Sequence, residues 1–220
     1  MSKPLLARAF RAQPTQDLLA AAARAFERFK LFHTRAAPET NGDPIEREFR
    51  AWLSRLKGAR VIELGTRRTG NDIPTVRRDW AAPDATYICT DFMPGLDVDV
   101  VADAEHLSAT FEPGSIDAVI ACSVFEHIRK PWLAVAEIGK VLRPGGRAFV
   151  QTHFAFPLHA YPHDYWRFSR EALETLFGED EGFVRRESFY RFPCSIISEQ
   201  EPATIVERAF LNVGIMAEKG

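Results

Sequence analysis

The chain has 220 residues, enough for one domain with an accessory segment and a sizeable core. Its 28 Lys and Arg against 30 Asp and Glu leave a net charge of −2, which argues against nucleic-acid binding, and no apolar run reaches the roughly 18 residues a membrane helix needs. Cys89, Cys122 and Cys194 form no Cys-x-x-Cys pair, which argues against a disulfide framework or a zinc site and for a reducing, cytoplasmic setting.

Residues 1–57 read as a helical cap. "TQDLLAAAARAFERFKLF" puts Leu19, Ala22, Ala23, Phe26 and Phe29 on one stripe, with Thr15 as N-cap. A loop with Asn41-Gly42 between prolines follows, and then "PIEREFRAWLSRL", whose Ile45, Phe49, Trp52, Leu53 and Leu56 recur at helical spacing. Two amphipathic helices of this kind need a surface to cover. The first would serve a homodimer as readily as a lid over a pocket.

Residues 58–220 change pattern to short apolar runs: "RVIEL", "TYICTDF", "VDVVAD", "IDAVIACS", "RAFVQTH", "VRRESFYRF" and "NVGIMAE". Helices are expected in "KPWLAVAEIGKVL", ending at Pro144-Gly145-Gly146, and in "SREALETLF", with Ser169 as N-cap and Gly178 as the stop. Near-continuous apolar strands alternating with helices predict an α/β fold, a doubly wound and mainly parallel seven-stranded sheet covered on both faces.

Such sheets bind ligands beyond the carboxyl ends of their strands, where the strand order reverses. The residues there are Glu63 and Gly65, then Asp91, then Asp103-Ala104-Glu105, then Ser123, then His153. An acid ending the second strand suits a ribose, because a carboxylate accepts from both hydroxyls. An acid with a free amide after the third could read the edge of an adenine. Gly65 lets backbone approach where a Cβ would collide. A nicotinamide site would need a tight glycine turn for pyrophosphate, and Arg67-Arg68 make that turn poor.

From Arg60 to Phe177, and most strongly in "VVADAEHLSATFEPGSIDAVIACSVFEHIRKPWLAVAEIGKVLRPGGRAFVQT", the chain resembles the class I S-adenosylmethionine-dependent methyltransferases, in their type 11 small-molecule group. The resemblance implies a Rossmann-like methyltransferase fold with S-adenosylmethionine as cofactor. It implies that Glu63 and Gly65 line the methionine end of the cofactor, with Thr66 and Gly70 also among the cofactor-binding residues. Asp91 would hold the ribose, Phe92 would pack on the adenine, Asp103, Ala104 and Glu105 would meet its edge, and Ser123 would sit beneath the donor. The chain departs from the family in its loop, Glu63-Leu64-Gly65-Thr66-Arg67-Arg68-Thr69-Gly70, which has one extra residue and lacks the second glycine.

An activated methyl donor leaves the protein to position an acceptor, exclude water and supply a base. "THFAFPLHAYPHDYWRFSREAL" is dense in suitable groups. His163 beside Asp164 is the expected base, with His127 as another candidate. His153, Tyr161, Tyr165, Trp166 and Arg167 are the expected acceptor-binding residues, with Arg167 gripping an anion. The spacing of His153, His159 and His163 fits no metal motif, so no metal is expected. The expected activity is methyl transfer to a small-molecule acceptor such as a secondary metabolite or sugar derivative. The alternative is a catalytically silent methyltransferase-like domain that serves as a binding or scaffold partner.

Overall fold

A computed structural model describes residues 18–23, 42–68, 74–197 and 206–220. The chain divides into two compact units, residues 1–38 with 194–209, and residues 39–193 with 210–220. Of the first unit, residues 18–23 are helical, with Leu18 and Leu19 exposed; the rest of that expected helix, including Thr15, Phe26 and Phe29, lies outside the described residues. No described helix is long and apolar enough to cross a membrane.

The second unit is built on a sheet whose strands are β1 (Arg60–Leu64), β2 (Thr86–Asp91), β3 (Val100–Val101), β4 (Ile116–Cys122), β5 (Leu142–His153), β6 (Phe183–Ile197) and β7 (Val206–Lys219), of which residues 194–197 and 206–209 count with the first unit. Their order is β3-β2-β1-β4-β5-β7-β6. β1 through β5 pair in parallel and β7 runs antiparallel to β5, as the expected fold class requires. The chain steps outward from β1 to β3, then returns to the other side of β1 with β4. The order therefore reverses between β1 and β4, and the loops leaving those two strands diverge there.

Apolar residues on both sides of the strands bury two cores. Helices α2 (Pro131–Val141) and α3 (Arg170–Leu176) cover one face with Val135, Ile138, Leu173 and the neighbouring Phe177 against Ile62, Val119, Val150 and Ile215. Helix α1 (Gly42–Leu53) covers the other with Ile45, Phe49 and Leu53, packed with Trp80 and Phe149. Phe49 and Phe149 lie 5.2 Å apart by ring centroid, and Trp80 meets Phe149 edge-on at 5.5 Å. So α1, on the N-terminal side of the expected boundary at residue 57, is part of the sheet's own core.

Local chemistry explains most of the element ends. Pro131 opens α2, where a missing N–H costs nothing. Ser169 caps α3 as expected, its Oγ accepting from Ala172 N at 3.2 Å. Arg143-Pro144-Gly145-Gly146, expected as a turn, is instead the start of β5, with a register shift against Ile116–Ala118. Gly145 takes φ 74° there, and a Cβ on Gly146 would press on the carbonyls of Arg143 and Asp117.

Candidate active site

The carboxyl ends of β1, β2, β3 and β4 enclose one cleft of ≈ 320 Å³. Leu64 and Gly65 reach it from β1, Thr90, Asp91 and Phe92 from β2, and Ala102 to Glu105 from β3. Ser123, Val124 and His127 to Arg129 come from the exit of β4, and His163 and Tyr165 from the loop after β5. Of the expected cofactor residues, Gly65, Asp91, Phe92, Asp103, Ala104, Glu105 and Ser123 thus share one cavity.

The backbone at these positions is shaped for close approach. Gly65 has φ 70°, and a Cβ there would overlap Val124 Cγ2. Ser123 also has positive φ, 57°, with its N–H donating to Gln151 O at 2.8 Å. Asp91 Oδ1 accepts from Met93 N at 3.0 Å and Oδ2 from Arg67 N at 3.4 Å, which fixes the carboxylate and leaves lone pairs free. Asp103 caps the short helical turn at Ala104–Ala109, Oδ1 accepting from Glu105 N at 2.9 Å, while Oδ2 lies 3.1 Å from His106 Nδ1. Glu105 Oε1 accepts from Lys130 N at 2.9 Å, tying this turn to the entry of α2. Phe92 is an exposed ring at the mouth, edge-on to His163 at 6.5 Å.

Glu63 does not line the cleft. Strand alternation sends it to the opposite face, where it is 2% exposed. There it pairs with Arg77 at 2.9 Å, accepts from Arg77 N at 2.9 Å, and accepts from Tyr87 Oη at 2.7 Å. Burial and the Glu63 charge together hold the Tyr87 phenol far above its ordinary range. Thr66 is buried too, and its hydroxyl donates to Asp97 O at 2.6 Å. Gly70 lies outside the described residues.

The arginines of the altered loop are also accounted for. Neither Arg67 nor Arg68 lines the cleft. Arg68 N donates to Leu96 O at 3.0 Å and its guanidinium pairs with Asp97 at 2.8 Å. Arg67 lies over Gly95, so closely that a Cβ there would stand 2.8 Å from its Cγ. The loop is clamped to the segment after β2.

The loop after β5 does not form the expected His163–Asp164 pair. Asp164 is almost fully enclosed and takes two bonds from Arg167, at 2.6 and 2.9 Å, plus one from His159 N at 2.9 Å. Those bonds hold its carboxyl well below the usual range, Arg167 first. His163 instead places Nδ1 3.1 Å from Tyr165 Oη. Arg167 also donates to the carbonyls of Phe156, Pro157 and Trp166, which fills its fork and leaves it unsuited to grip an anionic acceptor. Tyr165 lines the cleft; Tyr161 and Trp166 do not, Tyr161 being 90% exposed and Trp166 donating to Arg129 O at 3.4 Å. His153 is buried behind the cleft wall, 3.1 Å from Glu126 Oε1 and stacked on Phe156 at 3.9 Å. Burial pulls its imidazole below the ordinary range.

Glu126, the one fully buried carboxylate at the exit of β4, is nearly silent in the sequence. Its only sequence signal is its place beside His127 in "FEHI", because carboxylates are seldom fully buried without a partner. Its backbone carbonyl accepts from Tyr165 N and Trp166 N at 2.8 and 3.2 Å, which ties the loop after β5 to the cleft.

Comparison with known proteins agrees with this architecture. A family profile described as "Methyltransferase domain" matches residues 63–150. Among curated proteins, the ubiquinone biosynthesis O-methyltransferase of Burkholderia vietnamiensis is 33% identical over 107 residues, 41% of this chain and 44% of that one. Its namesake from Nitrosococcus oceani is 30% identical over 132 residues, 52% and 53%. The chain thus spans about half the length of the curated relatives it matches. Among solved structures, a SAM-dependent methyltransferase from Archaeoglobus fulgidus superposes with TM-score 0.54 at 14% identity, covering 88% of this chain and 99% of that one. The YcgJ protein of Bacillus subtilis superposes with TM-score 0.51 at 14% identity, covering 79% and 98%. Those identities speak for the fold alone. The profile runs from the end of β1 to β5 and the cleft forms at the ends of the same strands, so the chain has the Rossmann-like methyltransferase fold and its residues 63–150 match a methyltransferase domain.

Proposed function

We propose that the protein transfers a methyl group from S-adenosylmethionine to a hydroxyl of a small-molecule acceptor. The observation that carries the reading is the meeting of Gly65, Asp91, Asp103 and Ser123 in one ≈ 320 Å³ cleft at the reversal of strand order. Its volume is at the small end of the range for ligand pockets. Its lining suits an adenosyl group: three carboxylates, Asp91, Asp103 and Glu105, and apolar Leu64, Ala102, Ala104, Val124 and Ile128 between them.

In this reading Asp91 accepts from the ribose hydroxyls and Asp103 with the Ala104 amide meets the adenine edge. Phe92 covers the ring, and Gly65 and Ser123 let backbone approach the sulfonium end. When bound, the cofactor supplies an already activated methyl group. The chain's share is to orient the acceptor and take its proton, and His163, at the cleft wall with Tyr165 on its Nδ1, is the base we favour. The relatives' names support oxygen as the acceptor atom, and a hydroxyl is the acceptor that most needs such a base.

The silent-scaffold alternative rested on the altered glycine loop. Arg67 and Arg68 are spent on the segment after β2, which favours the enzyme. Calorimetry with S-adenosylmethionine tests the reading. The wild type should bind, and Asp91→Asn should bind about 10- to 100-fold more weakly, the worth of a charged hydrogen bond. Absence of heat from the wild type would remove the cofactor and the activity together.

A further inference from the structure

Behind the wall of the cleft, three imidazoles converge on one carboxylate oxygen. Glu126 is 0% exposed, and its Oε2 accepts from Thr152 Oγ1 at 2.6 Å. Its Oε1 faces His153 Nδ1 at 3.1 Å, His127 Nε2 at 3.8 Å and His159 Nε2 at 3.9 Å. Glu126 Oε1 and His153 Nδ1 are fully shielded, yet neither makes a hydrogen bond among the described residues. A buried carboxylate oxygen in that condition is costly, and its neighbours have to explain it.

The outer nitrogens sharpen the point. His159 Nδ1 lies 3.2 Å from Pro157 O and 3.5 Å from Asp164 Oδ2, and His127 Nδ1 lies 2.6 Å from His163 O. Carbonyls only accept, so Nδ1 of each ring carries a proton. In a neutral ring the Nε2 lone pair is then left facing Glu126. Lone pairs turned on a carboxylate repel it, and a cation among them removes the repulsion. The candidate ligand atoms of Glu126, His153 and His159 lie within 4.8 Å of one another.

We infer that Glu126, His153 and His159 form a binding site for a divalent transition-metal ion, with His127 offering a further nitrogen from the cleft wall. Ligands bonded at about 2.0–2.2 Å around a four-coordinate ion stand roughly 3.3–3.6 Å apart. The 3.1 and 3.9 Å separations at Glu126 bracket that spacing. Imidazoles with one carboxylate suit zinc or ferrous iron, whereas magnesium and calcium take oxygen donors. Asp164, held in turn by Arg167, backs His159 in the way an outer carboxylate orients a metal-bound imidazole. The Asp164–Arg167 pair thereby gains a role that the cofactor cleft does not give it. The geometry supplies the partner that histidine spacing alone could not, a glutamate 27 residues upstream of His153.

The full chain, treated with chelator and dialysed, would be titrated with cobalt(II) chloride and read by visible absorption and calorimetry. Saturation at one ion per chain is expected, with displacement by zinc. His153→Ala and His159→Ala should each weaken binding at least tenfold, while Asp91→Asn should leave it unchanged. Failure of the wild type to bind saturably, or equal binding by both histidine variants, would overturn the site. The wild-type titration stands even if a variant misfolds. Because no methyl donor is added, its failure would leave cofactor binding untouched.

Discussion

Replacing Gly65 by alanine tests the geometry of the cleft floor most directly. The residue holds φ 70°, where an ordinary side chain costs about 1–2 kcal/mol. The new methyl would also overlap Val124 Cγ2 and stand 3.3 Å from Cγ1, and overpacking of that kind costs about 1–3 kcal/mol. The expected loss is therefore about 2–5 kcal/mol, a large part of a domain's typical stability. Val124→Ala alone removes two half-buried methyl groups, for about 1–2 kcal/mol. The two changes should not add: removing the valine relieves the overlap, so the double variant should be more stable than the sum by about 1–3 kcal/mol. Urea unfolding of the four proteins measures the cycle. Additivity within about 0.5 kcal/mol would refute the contact, and a Gly65→Ala variant as stable as wild type would refute the backbone conformation as well.

Glu63→Gln should separate packing from binding. It leaves Arg77 and Tyr87 without their buried carboxylate, so it should cost about 2–4 kcal/mol, while affinity for S-adenosylmethionine in calorimetry stays within about twofold of wild type. A large loss of affinity with unchanged stability would reinstate Glu63 as a cofactor ligand. Burial pushes the Cys89 thiol up to about 11 and the Cys122 thiol up to about 12. At pH 8 their thiolate fractions should be about one in a thousand and one in ten thousand, so both should resist iodoacetamide in the native protein, followed by peptide mass mapping. Alkylation of either at the rate of a free thiol would contradict the packing around them.

Acid provides a fourth test. Asp164 has a folded-state pKa below its ordinary value of 3.8, so its stabilising share is complete above that value and is lost as pH falls further. Melting temperature should drop below about pH 4, and Asp164→Asn should be less stable at neutral pH but lose less on acidification. An identical acid profile in the variant would show that the Arg167 pair does not drive it.

What the sequence alone determined follows from periodicity and local chemistry. The candidate runs matched the seven strands; β1 and β4, at the middle of the sheet, are apolar because a strand covered on both faces must be so along its length, whereas the edge strand β6 carries Arg185, Arg186 and Glu187. Acids and glycines at successive strand ends pointed to one cleft, and Gly65, Asp91 and Asp103 meet there because parallel strands deliver their carboxyl ends to one edge. Tertiary structure decided everything that depended on direction. Glu63 sits one residue from Leu64 yet faces the other side of the sheet, since side chains alternate along a strand. Asp164 adjoins His163 in sequence but gives its carboxylate to Arg167 and His159, because the loop turns between the two residues. Glu126 and His153, far apart along the chain, face each other because β4 and β5 are neighbours and end at the same level. Spacing in sequence reports which side chains share a helix or strand face, and only the folded chain brings together groups carried by different strands.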